Sequence, residues 1–361
     1  MNLQHDARIV AQQFQMDGAF SSAAPYGSGH INDTFCVIYT RNGTQIRYLL
    51  QRINHDIFKD PAALMENIRR VTEHLRQKYA GLPDAGRRVL TLIPTHDGEA
   101  FHRDAAGNCW RVLNFIEGVR AFDAVESPAQ AWQAAKAFAE FQKQLADLPA
   151  PRLHDTIPDF HNTPKRFATL EQAVSADVVG RVKLARLEIE FALSRKAICR
   201  VLLEAGLPER VTHNDTKLNN VLLDEATGEG ICVIDLDTVM AGLAAYDFGD
   251  LVRSATCPAG EDERDLSAVG MRLPMFEAIA RGYLSVAGEF LTPAEKQLLP
   301  FAGKLITFET GIRFLTDYLS GDCYFKVRRD GQNLDRCRRQ FKLVESIEQQ
   351  EAKMSRLVAD I

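Results

Sequence analysis

The run Val211-Thr-His-Asn-Asp-Thr-Lys-Leu-Asn-Asn220, closed by Val233-Ile-Asp-Leu-Asp237, constrains this chain more than any other stretch. The apolar residues Val221-Leu222-Leu223 follow it, then a turn-rich link from Asp224 to Gly230, then a second apolar run, Ile231 to Ile234. Two short β-rich runs around a glycine-containing connection predict a hairpin. Such a hairpin carries Asn220 and Asp235 to one edge, where two ligands of a single metal can meet. Phosphoryl transfer asks for this set of groups. A carboxylate (Asp215) accepts the hydroxyl proton and an ammonium (Lys217) meets the γ-phosphate. An amide (Asn220) and a second carboxylate (Asp235) hold Mg²⁺ on the phosphate oxygens. The alternative reading is a solvated polar loop ahead of an ordinary hairpin.

Composition narrows the partners. A formal net charge of -5 in 361 residues gives no reason to expect nucleic acid or an anionic membrane as a partner. The late basic cluster Lys326, Arg328, Arg329, Arg336, Arg338, Arg339 and Lys342 reads as a solvated face. Seven cysteines, an odd number without C-x-x-C pairs, argue against a disulfide framework or a structural zinc. No segment is apolar for long enough to span a bilayer, and the first residues lack the apolar core of a secretion signal. A cytoplasmic enzyme is expected.

To about Phe115 the chain reads as β-rich with one long helix. Thr34–Tyr39 and Arg47–Arg52 are strand candidates around the turn Arg41-Asn-Gly43. Ahead of them Gly27 and Gly29 flank Ser28, and a glycine pair joined to a strand can bring backbone amides onto phosphates. A plain turn is the alternative. Asp60-Pro61 opens a helix that stops near Gly81, with Leu64, Ile68, Val71 and Leu75 on one face and Glu66 and Glu73 off it. Beyond Gly118 the pattern is mostly helical. Ser127-Pro128 opens a helix through Leu148 whose aromatics read as core, and another helix spans about Lys183 to Glu204. His154 and His161 fall in a proline-rich connection and read as surface loop. In Leu305–Leu319, Glu309, Arg313 and Asp317 follow one another at i,i+4, ordinarily a solvent face with ion pairs.

The words Pro25-Tyr-Gly-Ser-Gly-His-Ile-Asn32, Thr212–Asn220, Ile234-Asp-Leu-Asp-Thr238, Tyr246-Asp-Phe-Gly-Asp250 and Arg313–Leu319 resemble those of the aminoglycoside phosphotransferase and choline kinase superfamily. They spread over nearly the whole chain. The resemblance implies an α+β, bilobal protein-kinase-like fold. A nucleotide-binding N-lobe would cover 1–115, and a C-lobe with the catalytic loop and acceptor-binding helices would cover 116–361. It implies ATP and Mg²⁺ as cofactors, with the Gly27–Gly29 loop over the phosphates. The link Asn114, Phe115 and Ile116 would pair with adenine through its backbone. The chain departs from protein kinases at the third strand, where Gln51 and Arg52 stand in place of a Lys; one of them is expected to meet the α/β-phosphates. Leu236-Asp237 replaces the Phe-Gly that follows the metal Asp in those enzymes. Asp237 could face the acceptor or a second Mg²⁺, or cap the next loop. Asp247 could touch substrate or brace backbone amides.

Within the superfamily the words are most similar to the branch that phosphorylates the anomeric hydroxyl of N-acetylhexosamines. That likeness adds His30, Arg313 and Tyr324 as candidate sugar contacts, because a polyol needs several convergent donors and acceptors.

Overall fold

In the computed structural model, which describes residues 3–27 and 31–361 (side chains of 3–6 apart), the chain divides into two compact units. The first comprises Met1–Val119, Asp147–Pro158 and Ile234–Met240. The second comprises Arg120–Ala146, Asp159–Val233 and Ala241–Ile361.

The first unit is built on an antiparallel sheet. Its strands are β1 (Ala19–Pro25), β2 (Asp33–Arg41), β3 (Thr44–Ile53), β4 (Leu92–Ile93), β5 (His102–Arg103) and β6 (Cys109–Asn114). They run in the order β1-β2-β3-β6-β4, with β5 also beside β6. Asn42 and Gly43, both at positive φ, close the two-residue turn between β2 and β3. That geometry matches the twist of the flanking strands. Successive side chains alternate between faces. Phe35, Val37, Tyr39, Tyr48, Leu50, Trp110 and Val112 therefore share one face, buried with Ala7, Val10 and Ala11 of the helix Leu3–Ala11. The opposite face carries a row of polar residues in register: Thr34 beside Gln51, and Gln51 beside Arg111.

The helix Pro61–Tyr79 begins where the sequence predicts it, with the Asp60 carboxylate accepting from the Ala63 amide at 3.0 Å. Leu64, Ile68, Val71 and Leu75 are buried, as are Asn67 and Thr72. Glu66 and Glu73 pair with His154 and Arg69 at the surface. Asn67 is one of the groups that tie two later segments into this unit, although the sequence placed them in the second. Its amide donates to the carbonyls of His154 (2.8 Å) and Val239 (3.2 Å) and accepts from the His154 amide at 3.0 Å.

The second unit is helical around one short hairpin. The strands Val221–Asp224 and Gly230–Val233 pair antiparallel, Val221 opposite Val233. The helix Pro128–Gln144 starts at Ser127 as expected and buries Phe138 and Phe141. Between Val182 and Glu204 the single expected helix is instead broken. Ser194 turns its hydroxyl back onto the Phe191 carbonyl at 2.7 Å, and the chain re-enters helix through 3-10 turns. A hydroxyl that satisfies a backbone carbonyl competes with the helical ladder. The helix Pro293–Leu319 opens with a capping box formed by Thr292 and Glu295 and packs against Ala244–Ala255. At that crossing a Cβ on Gly249 would lie 2.6 Å from the Ala302 carbonyl oxygen.

The basic cluster is not a solvated face throughout. Arg336 is buried against Asp262 (2.6 Å) and the Phe314 ring, and the buried Arg339 donates to the Ala259 carbonyl. Among the described residues no helix is long and apolar enough to cross a membrane.

Asn67→Ala should lower the unfolding free energy by about 2 kcal/mol, because it leaves buried backbone groups without partners. Urea denaturation measures this; an unchanged midpoint would show that the two appended segments are held otherwise.

Candidate active site

The loop His213–Asn220 is built from its backbone outward, all within the second unit. Asp247, fully buried in the helix Ala244–Ala255, accepts from the amides of His213 (2.9 Å) and Asn214 (2.7 Å). It also accepts from Gln142 Nε2 at 2.6 Å. Burial pushes its carboxyl up, against the pull of these donors. The Thr216 hydroxyl donates to the Asp247 carbonyl at 2.5 Å. Between these anchors Asn214 adopts φ of 64°, a left-handed bend that Asn tolerates better than most residues. His213 is wholly buried, its ring edge-on to Phe138 and Phe141, and its Nδ1 accepts from the Asp215 amide at 3.3 Å. Room for the bend comes from Gly242, where a Cβ would stand 2.4 Å from Thr212 Oγ1 and 2.7 Å from Asn214 Oδ1.

The bend presents Asp215, Lys217 and Asn220 together. Lys217 Nζ sits 2.9 Å from Asp215 Oδ1 and 3.1 Å from Oδ2. Asn220 Nδ2 donates to the Asp215 carbonyl at 2.8 Å and approaches its carboxylate at 3.3 Å. The Asp215 carboxyl stays below the ordinary carboxylate range. Desolvation opposes that, but the Lys217 ammonium, with His213 and Arg253 beyond it, outweighs the cost. Lys217 is correspondingly raised, its desolvation outweighed by Asp215. Both groups are charged at neutral pH, and Asp215 keeps about a quarter of its side chain exposed (24%). The buried pair Arg253–Asp250, 2.6 Å apart, lies close enough to act on Lys217 with both of its charges.

Polar residues of the first unit gather around Asp237. Asp235 stands in the left-handed region (φ 59°, ψ 58°) and is exposed, whereas Asp237 is buried. Asp237 Oδ1 accepts from Arg111 at 2.5 Å and Oδ2 from Asn32 at 2.6 Å. Arg111, also buried, donates through Nε to Gln51 Oε1 at 2.9 Å, and Gln51 donates on to Thr34 at 3.1 Å. Gln51 thus lies beside the cation that the third strand lacks. Arg52 does not: it lies on the other sheet face, bound to Asp33 and Asn108. Asn114 accepts from the Thr91 amide at 2.6 Å. Phe115 stacks under Arg47 and meets Tyr26 edge-on, and Ile116 is buried. Gly27 has φ of 80° with open space around it; Gly29 and His30 lie outside the described residues.

Several assignments made from sequence need correction. Asp237 has both oxygens committed inside the protein, so it ties strands together and does not face an acceptor. Asp247 is unreachable by substrate and fills the bracing role. Glu309 and Asp317 are buried and not part of a solvent face. Asp317 accepts from the amides of Cys323, Tyr324 and Phe325 and from Asn333, so it fixes the loop that carries Tyr324. Arg313 stands with its guanidinium over Phe160 (5.2 Å), Phe325 (5.7 Å) and Tyr324 (5.9 Å). His161 is buried as well and not part of a surface loop. Sequence reasoning missed Arg111; the available signal was an Arg inside an apolar strand, in register with Gln51.

The profile of the phosphotransferase enzyme family matches residues 22–280, and the chain belongs to that family. It is a phosphotransferase with an alcohol group as acceptor, on a kinase-like α+β fold. The fold is similar to that of a microcompartment-associated aminopropanol kinase, at 16% identity over 97% of this chain and 98% of the other, with a TM-score of 0.61. It is also similar to an aminoglycoside phosphotransferase from Alicyclobacillus acidocaldarius (14% identity, 98% and 96% covered, TM-score 0.63). A spectinomycin phosphotransferase solved with ADP and spectinomycin matches at 13% identity, 97% and 98% coverage and a TM-score of 0.58.

Asp247→Asn turns a donor toward amides that need an acceptor. It should cost about 1–3 kcal/mol of stability and reduce turnover. Calorimetry together with steady-state rates checks this, and a variant with wild-type stability would remove Asp247 as the brace.

Proposed function

We propose that this chain is an ATP- and Mg²⁺-dependent kinase that phosphorylates the anomeric hydroxyl of N-acetylhexosamines, in the manner of an N-acetylhexosamine 1-kinase. Asp215 orients the hydroxyl and accepts its proton, and Lys217 balances charge on the transferring phosphoryl. A carboxylate held below its usual range is a weak base, so positioning and charge stabilisation supply most of the rate. Asn220 and Asp235 are the ligands assigned to Mg²⁺. Both offer hard oxygen donors, as that ion prefers. Asn220 commits its Nδ2 to Asp215, so Oδ1 is the atom left for a cation. When bound, Mg²⁺ neutralises charge on the phosphate oxygens. For ATP, the assignment draws support from the neighbour solved with ADP, and the residues assigned are Gly27, Gly29, Gln51 and the backbone of Asn114, Phe115 and Ile116. His30, Arg313 and Tyr324 are assigned to the sugar.

The observation that carries the acceptor class is Arg313. Its guanidinium is walled by Phe160, Tyr324 and Phe325, and a second Arg, Arg166, feels its charge; burial and then Arg313 pull Arg166 down from its ordinary value. Arg313 among its aromatic rings and Arg166 close by suit a neutral acceptor rich in hydroxyl and carbonyl oxygens. They repel an ammonium, so aminoglycosides, choline and homoserine fit this cluster less well. The rival reading, an amino-alcohol acceptor, draws on the fold neighbour named an aminopropanol kinase.

Asp215→Asn should cut kcat by about 10²-fold or more with nucleotide affinity nearly intact; wild-type turnover would remove Asp215 as the base. In a thermal-shift series with Mg·ATP, N-acetylglucosamine and N-acetylgalactosamine should stabilise the protein and choline should not. Stabilisation by the amines alone would overturn the sugar assignment.

A further inference from the structure

His161 is buried in the second unit although it lies in a proline-rich connection. Its Nδ1 is 2.8 Å from Glu309 Oε1 and its Nε2 is 3.0 Å from the carbonyl oxygen of Asn214. A peptide carbonyl can only accept. Glu309 Oε2 accepts a hydrogen bond from the Thr163 hydroxyl at 2.6 Å, and, against desolvation, His161 and Thr163 hold this carboxyl below its ordinary range, so Oε1 is an acceptor too. Two acceptors on one imidazole require two N–H donors, a condition that only the imidazolium meets. Phe160 lies edge-on to the ring at 4.7 Å between centroids, and Tyr246 lies against it at 4.8 Å, so the ring is held in place.

We propose that His161 is a positioning residue of the phosphoryl transfer. As a buried imidazolium it clamps the Asn214 carbonyl to Glu309 and fixes the bend that aims Asp215. This rests on the reading of Asp215 as the base. The clamp grips the peptide immediately before Asp215, at the one left-handed residue of the loop. Asp247 holds the amide side of the same bend and His161 its carbonyl side, so neither end can rotate alone.

The surrounding charges favour the cation. Glu309 comes from the helix Pro293–Leu319, with Arg313 one turn on. Asp250 and Tyr246 come from the helix Ala244–Ala255, and Arg166 from the helix Thr163–Ala176. Burial works against the charge on His161, but Glu309, the Asn214 carbonyl and Asp250 together raise it above the ordinary histidine value. Glu309 is lowered in turn, its own desolvation outweighed by His161 and Thr163. The Cys199 thiol that also faces Glu309 is pushed up to about 12 by burial and stays neutral. Because the folded His161 is raised, the clamp is complete below the ordinary histidine range and is lost as pH rises through the raised value.

Two measurements on the full chain test this. Imidazole-detected nitrogen NMR at pH 7 should show two bonded protons on His161, and on raising the pH the Asn214 and Asp215 amides should titrate with that ring. A neutral ring at pH 7, or loop amides indifferent to it, overturns the proposal. In kinetics with Mg·ATP and N-acetylglucosamine, His161→Gln should lower kcat about tenfold with the KM for ATP unchanged. The double variant His161→Gln/Glu309→Gln restores a neutral hydrogen-bonded pair. It should recover much of kcat and lack the alkaline decline of the wild type. A double variant that keeps that decline at the same pH contradicts the proposal. If the wild type phosphorylates no sugar, the acceptor reading fails, while the NMR measurement still decides on His161.

Discussion

The carboxylate of Asp247 on the amides of His213 and Asn214 is the interaction on which the loop bearing Asp215, Lys217 and Asn220 depends. A left-handed residue followed by two charged side chains has little tendency to hold one shape in water. Here the bend is gripped by a buried acceptor on one side and by His161 on the other. Asp247 comes from the helix Ala244–Ala255 and Glu309, which holds His161, from the helix Pro293–Leu319, and the two helices pack closely at Gly249. Helix packing therefore becomes precision at Asp215. Chemistry that relies on positioning needs that rigidity more than it needs a strong base.

The same economy governs the charges. Asp215 and Lys217 hold each other ionised against their desolvation, with Arg253 a smaller contributor at both. In the first unit the charge pair is Arg111 with Asp237, buried and tied to Gln51 and Asn32. A buried pair of this kind is weak evidence for stability. It connects strand β6 to the segment after Asp235, and so fixes the backbone that presents Asp235.

Much of this was legible in the sequence. The hairpin after Asn220, the Asn-Gly turn, the caps at Asp60 and Ser127 and the apolar faces of both helices follow from local rules of turn and helix chemistry. What was not legible depends on long-range partners. Asp237 and Asp247 look like candidate ligands in a sequence, because nothing local reveals that Arg111 or two backbone amides will occupy them. His161 looked like a surface residue in a proline-rich loop, since its partners lie on the loop near Asp215 and on a late helix. Arg336 and Arg339 read as a charged face because Asp262 and the Ala259 carbonyl are distant in the chain. The segments 147–158 and 234–240 join the first unit through partners far away in sequence, Asn67 for His154 and Val239, and Arg111 and Asn32 for Asp237.

The central claim is that this loop transfers the γ-phosphoryl of ATP to the anomeric oxygen of an N-acetylhexosamine. Phosphorus NMR of the protein incubated with Mg·ATP and N-acetylglucosamine tests it most directly. The account predicts ADP together with a phosphate resonance coupled to the anomeric proton. A phosphoryl group coupled instead to the C6 protons, or ATP left unconsumed beside the sugar while an amino alcohol is phosphorylated, would contradict it.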